Sequence, residues 1–107
     1  MNDPEQLLRQ AEHFARSGDH NSARQHLLDL TEHRGVSPNL LLPAAFQAYQ
    51  IGELDLAEQC LRKIIRIAPN FGPAYTNLGN ILRETGQLEE AIAMTETACE
   101  LSPEDVM

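Results

Sequence analysis

Gly18, Gly52 and Gly86 lie 34 residues apart, and Ala23, Ala57 and Ala91 keep the same interval. Pro69 and Pro103 share it, with Gly35 in the matching slot one copy earlier. Self-similarity at a fixed period of this length marks a stack of small structural units. Each unit is too small to bury its apolar face alone, and neighbours must complete its core. The period also constrains function: a stack of repeats offers a surface, so the chain is built to hold something.

Shifted by 34 residues, three copies superpose, at about 4–37, 38–71 and 72–105. Leu7, Leu41 and Tyr75 correspond, as do Ala11, Ala45 and Gly79, then Phe14, Ala48 and Leu82. Leu27, Leu61 and Thr95 form another set, followed by Leu30, Ile64 and Ala98. Within a copy these positions fall three, four or seven apart, the spacing of an apolar helix face. The recurring glycine follows the first apolar run, where a helix end favours a residue free to take positive φ. The next residue is Asp19, Glu53 or Gln87, of which only Asp is a strong N-cap. Ala23, Ala57 and Ala91 let paired helices approach closely, and Pro69 and Pro103 stop the second helix. The spacing predicts an all-α chain of six helices, near 4–17, 20–33, 38–51, 54–67, 72–85 and 88–101. Asp3-Pro4-Glu5-Gln6 reads as the opening of the first, with Asp as N-cap and Pro in the first turn. Pro43 lies several residues into the third, so that helix is expected to start late, near Asn39 or Leu40, or to bend.

The third copy carries the clearest family likeness, Ala74-Tyr75-x-x-Leu78-Gly79, then Gly86, Ala91 and Pro103. In these residues the chain resembles the tetratricopeptide repeat family. The second copy keeps Gly52, Ala57 and Pro69 but has Ala45 where the family prefers Gly. The first is degenerate, with His20 and His33 in aliphatic slots of the later copies and Gly35 for the closing proline. The resemblance implies one repeat domain over residues 1–107, a right-handed α-solenoid of three helix-turn-helix units. It also implies that the first helix of each pair lines a concave face.

The chain has 107 residues, enough for one small domain, and three repeats are about the minimum for a stable array. Aromatic residues make up only 5%, so the core must be built from Leu, Ile and Ala. The net charge of −8 argues against nucleic acid, whose phosphates require a basic surface. Charge is uneven: no basic residue follows Arg83, while Glu84, Glu89, Glu90, Glu96, Glu100, Glu104 and Asp105 accumulate. Arg62, Lys63 and Arg66 form a basic cluster in the middle copy. Cys60 and Cys99 occupy different slots and suggest reduced thiols in a cytoplasmic protein. The N-terminal segment is acidic and unlike a signal peptide, and no apolar run is long enough to span a membrane.

The sequence has no Gly-rich phosphate loop, C-x-x-C, H-E-x-x-H or serine elbow, which points to no enzyme chemistry and no cofactor. All four histidines, His13, His20, His26 and His33, fall in the first copy. His26 and His33 share a helix but stand about 10 Å apart along its axis, too far for one ion. No metal site is therefore expected. Glu89 and Glu90 open a helix, where the backbone dipole favours negative charge without any catalytic role.

Transferring the family's inward slots nominates Arg9, Arg16, Phe46, Tyr49, Gln50, Asn77, Asn80 and Arg83 as partner-binding residues. Glu5, Leu8, Glu12, Asn39, Leu42, Thr76 and Glu84 share that face. Asn both donates and accepts, as a peptide backbone requires, Arg forks suit carboxylates, and Phe46 and Tyr49 can anchor an apolar side chain. The competing reading packs Phe46 and Tyr49 between adjacent helices. Slots that hold Lys and Asn in the family's chaperone-tail adaptors carry Leu8, Glu12, Pro73 and Asn77 here, so that ligand class does not fit. Asn77 also resembles one rung of the asparagine ladder in repeats attached to sugar-transferring enzymes.

The leading expectation is a non-enzymatic module binding a peptide or protein in its concave groove. The alternatives are the N-terminal part of a larger bacterial enzyme, such as a sulfotransferase, glycosyltransferase or oxygenase, and a self-assembly module. Ser102-Pro103-Glu104-Asp105 is patterned like the start of another helix, so truncation at the C-terminus is expected. An unsealed final helix should then form a homo-oligomer through residues about 91–101.

Overall fold

The computed structural model of the chain describes residues 3–101. Six helices run in order: α1 (Pro4–Arg16), α2 (His20–Glu32), α3 (Pro38–Gln50), α4 (Leu54–Ile67), α5 (Gly72–Glu84) and α6 (Leu88–Leu101). Among the described residues there is no strand. The pattern Ser102–Asp105 lies outside them.

The glycine slots set the repeat. Gly18, Gly52 and Gly86 have φ of 85°, 82° and 83°, a region closed to most side chains. Each terminates its helix with the same pair of backbone bonds. The glycine N–H reaches Ala15, Tyr49 or Arg83, and the next N–H reaches back to Phe14, Ala48 or Leu82. These two hydrogen bonds satisfy carbonyls that the helix end would leave orphaned.

Cap quality varies between copies as the residue types dictate. Asp3 and Gln6 form a reciprocal capping box on α1. Asp19 accepts from the Ser22 N–H at 3.1 Å, and hydrogen bonding with the Ser22 side chain, then with its backbone N–H, holds the Asp19 carboxyl below the usual aspartate pKa. Glu53, too long for the role, makes no side-chain cap on α4.

The expected late start of α3 is corrected. The helix begins at Pro38, with Ser37 as N-cap and the Leu40 and Leu41 N–H groups bonded to the Ser37 carbonyl. Proline at the first helical position is preorganised for helix and wastes no donor. Pro43 sits inside the helix and withdraws its N–H from Asn39, an exposed residue where solvent substitutes.

The helices pair as α1 with α2, α3 with α4 and α5 with α6, and α4 packs on α5 to join the second pair to the third. One continuous core results, centred on Leu27, Leu30, Leu41, Leu61, Ile64, Leu78 and Leu82, each under 2% exposed. The alanine slots are buried, as close pairing requires. Gly79 permits the tightest approach: a Cβ there would stand 2.9 Å from Thr95 Oγ1 and 3.3 Å from the Ala91 carbonyl.

Candidate partner-binding cleft

In α3 the buried positions Leu41, Ala45 and Ala48 turn one helix face to the core. The adjoining face therefore carries Phe46 and Tyr49 outward, 58% and 40% exposed. In α5 the buried Tyr75, Leu78 and Leu82 leave Asn77, Asn80 and Glu84 on the open side, with Arg83 beside them. These two faces line a cleft of about 310 Å³ whose floor is Ala45, Leu61 and Ile81. Leu61 comes from α4, so the helix behind the cleft supplies its apolar base.

Polar contacts shape the rim. The Tyr49 hydroxyl donates to Glu84 Oε1 at 2.6 Å, tying α3 to α5. That bond, with the carboxylate's charge, raises the Tyr49 pKa. Arg83 Nη2 donates to Asn80 Oδ1 at 3.1 Å, which engages the amide oxygen and leaves its N–H₂ as a donor. The cleft thus offers an apolar floor, two exposed rings, amide donors and one guanidinium.

Of the predicted partner-binding residues, Phe46, Tyr49, Asn77, Asn80 and Arg83 share this cleft. Arg9, Arg16 and Gln50 are exposed but line no part of it. The reading that packs Phe46 and Tyr49 between helices is overturned by their exposure. Sequence reasoning did not nominate Ala45, Leu61 and Ile81, whose apolar character reads only as core, or the pairing of Glu84 with Tyr49.

The basic cluster of α4 is mostly engaged in holding repeats together. Arg62 bonds Glu58 through Nε and Glu90 of α6 through Nη2, each at 2.8 Å. Desolvation opposes its charge, but the two carboxylates more than offset it and the guanidinium pKa rises. The Lys63 ammonium donates to the carbonyls of Thr31 and His33 at the end of α2. A cation there also complements the helix dipole, and α2 has no basic residue of its own in its last turn. Arg24 of α2 pairs at 2.9 Å with Glu53, the residue that precedes α4. Arg66 is exposed.

The first-copy histidines and the two thiols have local roles. His26 Nδ1 lies 2.8 Å from the Ser22 carbonyl and its ring tilts against Phe14, with centroids 5.1 Å apart. His33 Nδ1 accepts from the Gly35 N–H at 3.0 Å, tightening the turn that lacks the closing proline. Cys60 is buried, with its sulfur 3.1 Å from Thr31 Oγ1, and burial pushes its thiol pKa up. Cys99 is exposed, and both thiols are free. Among the described residues no group of His, Cys, Asp or Glu is arranged to hold a metal ion, and no helix is long and apolar enough to cross a membrane.

Two tetratricopeptide repeat family models match the chain, over residues 60–93 and 48–71. Tetratricopeptide repeat protein 8 of Homo sapiens is 32% identical over 76 residues, covering 71% of this chain and 14% of its own length. Small glutamine-rich tetratricopeptide repeat-containing protein 2 of Mycosarcoma maydis is 37% identical over 60 residues, covering 56% of this chain and 16% of its own. The chain therefore spans a small part of these curated relatives. Among solved structures, MamA superposes with a TM-score of 0.75 at 22% identity, over 95% of this chain and 60% of that one. A mutant O-GlcNAc transferase of Thermobaculum terrenum gives 0.64 at 26% identity, over 96% of this chain and 21% of the transferase.

Proposed function

The chain belongs to the tetratricopeptide repeat family, and from that premise we propose that it is a non-enzymatic interaction module holding an extended peptide segment of a protein partner in the α3–α5 cleft. Such repeats generally mediate protein–protein interaction. The observation that carries the reading is the exposure of Phe46 and Tyr49 over an apolar floor, opposite two asparagines. Exposed aromatic rings beside an apolar floor are the kind of side chain that anchors interfaces. On this reading Phe46 grips an apolar side chain, Asn77 and Asn80 bond the peptide backbone, and Arg83 meets a carboxylate. Arg9, Arg16 and Gln50 meet only a longer ligand that continues out of the cleft. The repeats act as one domain over residues 1–107, in the cytoplasm, where both free thiols persist.

Peptides selected from a random display library on the intact chain provide the test. Phe46→Ala is expected to weaken them by about 2 kcal/mol, and Asn77→Ala with Asn80→Ala by roughly 1–3 kcal/mol. Selected peptides that bind both variants as tightly as the parent chain would remove the cleft from consideration.

A second reading has the repeats serve a larger enzyme, and the match to O-GlcNAc transferase favours it, since that protein carries a comparable repeat stretch within a far longer chain. The parent reading frame decides between the two: a catalytic domain downstream supports this reading, and a stop codon the first.

A further inference from the structure

The first helices of successive pairs do not meet in the same way along the array. α1 packs directly on α3, whereas α3 and α5 are joined chiefly through α4, which packs on both. The cleft is the space left between α3 and α5, and the Tyr49–Glu84 bond crosses it. Its walls come from α3, α4 and α5, inside the array, and α6 lines no part of it. The floor is shallow: Ala45, Leu61 and Ile81 are 4%, 1% and 4% exposed, so no socket opens among them for a long side chain. Apolar contact is offered instead by the flanks of Phe46 and Tyr49, one turn apart on α3. The polar groups are already oriented. Tyr49 spends its proton on Glu84, and Arg83 occupies the Asn80 oxygen, which leaves the Asn80 N–H₂ as a donor. Along the cleft the backbone of α3 and α5 is bonded within its own helices, so only side chains can reach a ligand.

Peptides meet protein surfaces in three common shapes. An added β-strand needs a free backbone edge to pair with, and two helices provide none. An amphipathic helix has already bonded its own backbone, so it has no carbonyls to give the asparagines, and its long apolar side chains need a deeper groove than this floor allows. A polyproline II segment leaves its carbonyls free as acceptors, and its prolines have no N–H that requires a partner. Its short, flat rings need no deep socket and can lie against aromatic flanks. Resting on the reading that the cleft holds a peptide, we propose that its ligand is a proline-rich segment in the polyproline II conformation. Prolines pack on Phe46 and Tyr49, and successive carbonyls accept from Asn77 and Asn80. Both partners are ordered before they meet: the ligand by its fixed φ, the walls by the Tyr49–Glu84 and Arg83–Asn80 bonds. Little conformational freedom is therefore lost on binding.

Selection from a random display library on the full chain separates this ligand from the reading it rests on. The recovered peptides should be enriched in proline. A synthetic copy of such a peptide should bind saturably, and a version with alanine at every proline should bind at least about tenfold more weakly. Phe46→Ala should weaken the proline-rich peptide about tenfold, and Asn77→Ala with Asn80→Ala about as much. The substituted residues are exposed, and unchanged helicity and urea midpoint show that the variants remain folded. Recovered peptides that lack proline yet lose affinity in Phe46→Ala would keep the cleft as the binding site and overturn the polyproline ligand. Proline-rich peptides that bind both variants as tightly as the parent chain would overturn the cleft and this proposal together. Alanine versions that bind as tightly as their proline parents would overturn the proposal too, because the polyproline conformation would then contribute nothing.

Discussion

Helices α4 and α6 occupy the same place in successive repeats, yet one is walled in and the other half bare. α4 buries Leu56, Ala57, Cys60, Leu61 and Ile64, whereas α6 buries Ala91. Part of the difference is composition: the slots of Leu56, Cys60, Leu61 and Ile64 hold Glu90, Met94, Thr95 and Ala98 one repeat later. The rest is neighbours. α4 packs on α2, α3 and α5, while α6 packs on α5 and touches α4 through the Arg62–Glu90 pair. In a linear array stability is close to a sum of nearest-neighbour terms, so the same slot is worth more with neighbours on both sides. The inner helix holds the fold, and the faces it supports are left free to bind.

The largest effect should come from breaking α4. Ile64→Ala removes a fully buried side chain and should cost about 3 kcal/mol in urea unfolding. Ile92→Ala in α6 should change the midpoint by no more than about 0.5 kcal/mol. Similar losses at both sites would erase the comparison.

The α5–α6 seam is sharpened by Gly79→Ala, whose Cβ would press on Thr95 Oγ1 and the Ala91 carbonyl. Alanine is the better helix former, but overpacking should win and destabilise the chain by about 1–2 kcal/mol. Adding Thr95→Ala removes the nearer clash and should restore part of the loss. A stabilised Gly79→Ala variant would mean that α6 is looser on α5 than the geometry implies.

Lys63→Met tests whether α4 also secures α2. Loss of the ammonium from the Thr31 and His33 carbonyls should cost about 1 kcal/mol. The equivalent slot in α6 is Thr97, which bonds only within its own helix, to Ala93. Thr97→Ala should therefore be close to silent, and comparable losses from the two substitutions would contradict the assignment.

The smallest effect concerns the polar tie across α3 and α5 in front of α4. The bond to Glu84 raises the Tyr49 pKa, so its stabilisation is fully present below the ordinary tyrosine value of about 10. It is lost as pH rises through the higher folded-state value. Phenolate absorbance should show Tyr49 titrating late, and Glu84→Gln should move that titration to lower pH. No movement on substitution would show that the tie does not persist in solution.

The helix boundaries were legible because a glycine with positive φ ends the first helix of every pair, a local signal repeated three times. The faces were legible from helical spacing, and the inward slots implied by the family resemblance brought out Phe46, Tyr49, Asn77, Asn80 and Arg83. Slot transfer also nominated Arg9, Arg16 and Gln50, because it treats every copy alike; a cleft depends instead on which neighbouring faces come together. Arg62 and Lys63 read as a free basic patch, since the partners that tie them to other repeats, Glu90 and the Thr31 and His33 carbonyls, lie 28 to 32 residues away in sequence. Pro43 misled because its cost was weighed without the compensating proline at the first position of the helix. The apolar surface of α6 was expected over residues 91–101; within that range Ile92 and Cys99 are bare and Met94, Ala98 and Leu101 are half-buried, and Leu88, just before it, is bare as well.

Native-state hydrogen exchange on the full chain tests the inner-versus-outer contrast most directly. Amides of α4 should exchange only through global unfolding, with opening free energies equal to the stability measured in urea and falling with it in Ile64→Ala. Amides of α6 should exchange through local opening at a free energy lower by about 1 kcal/mol or more, and should be insensitive to low urea. Equal protection in the two helices, lost together at one midpoint, would contradict the account.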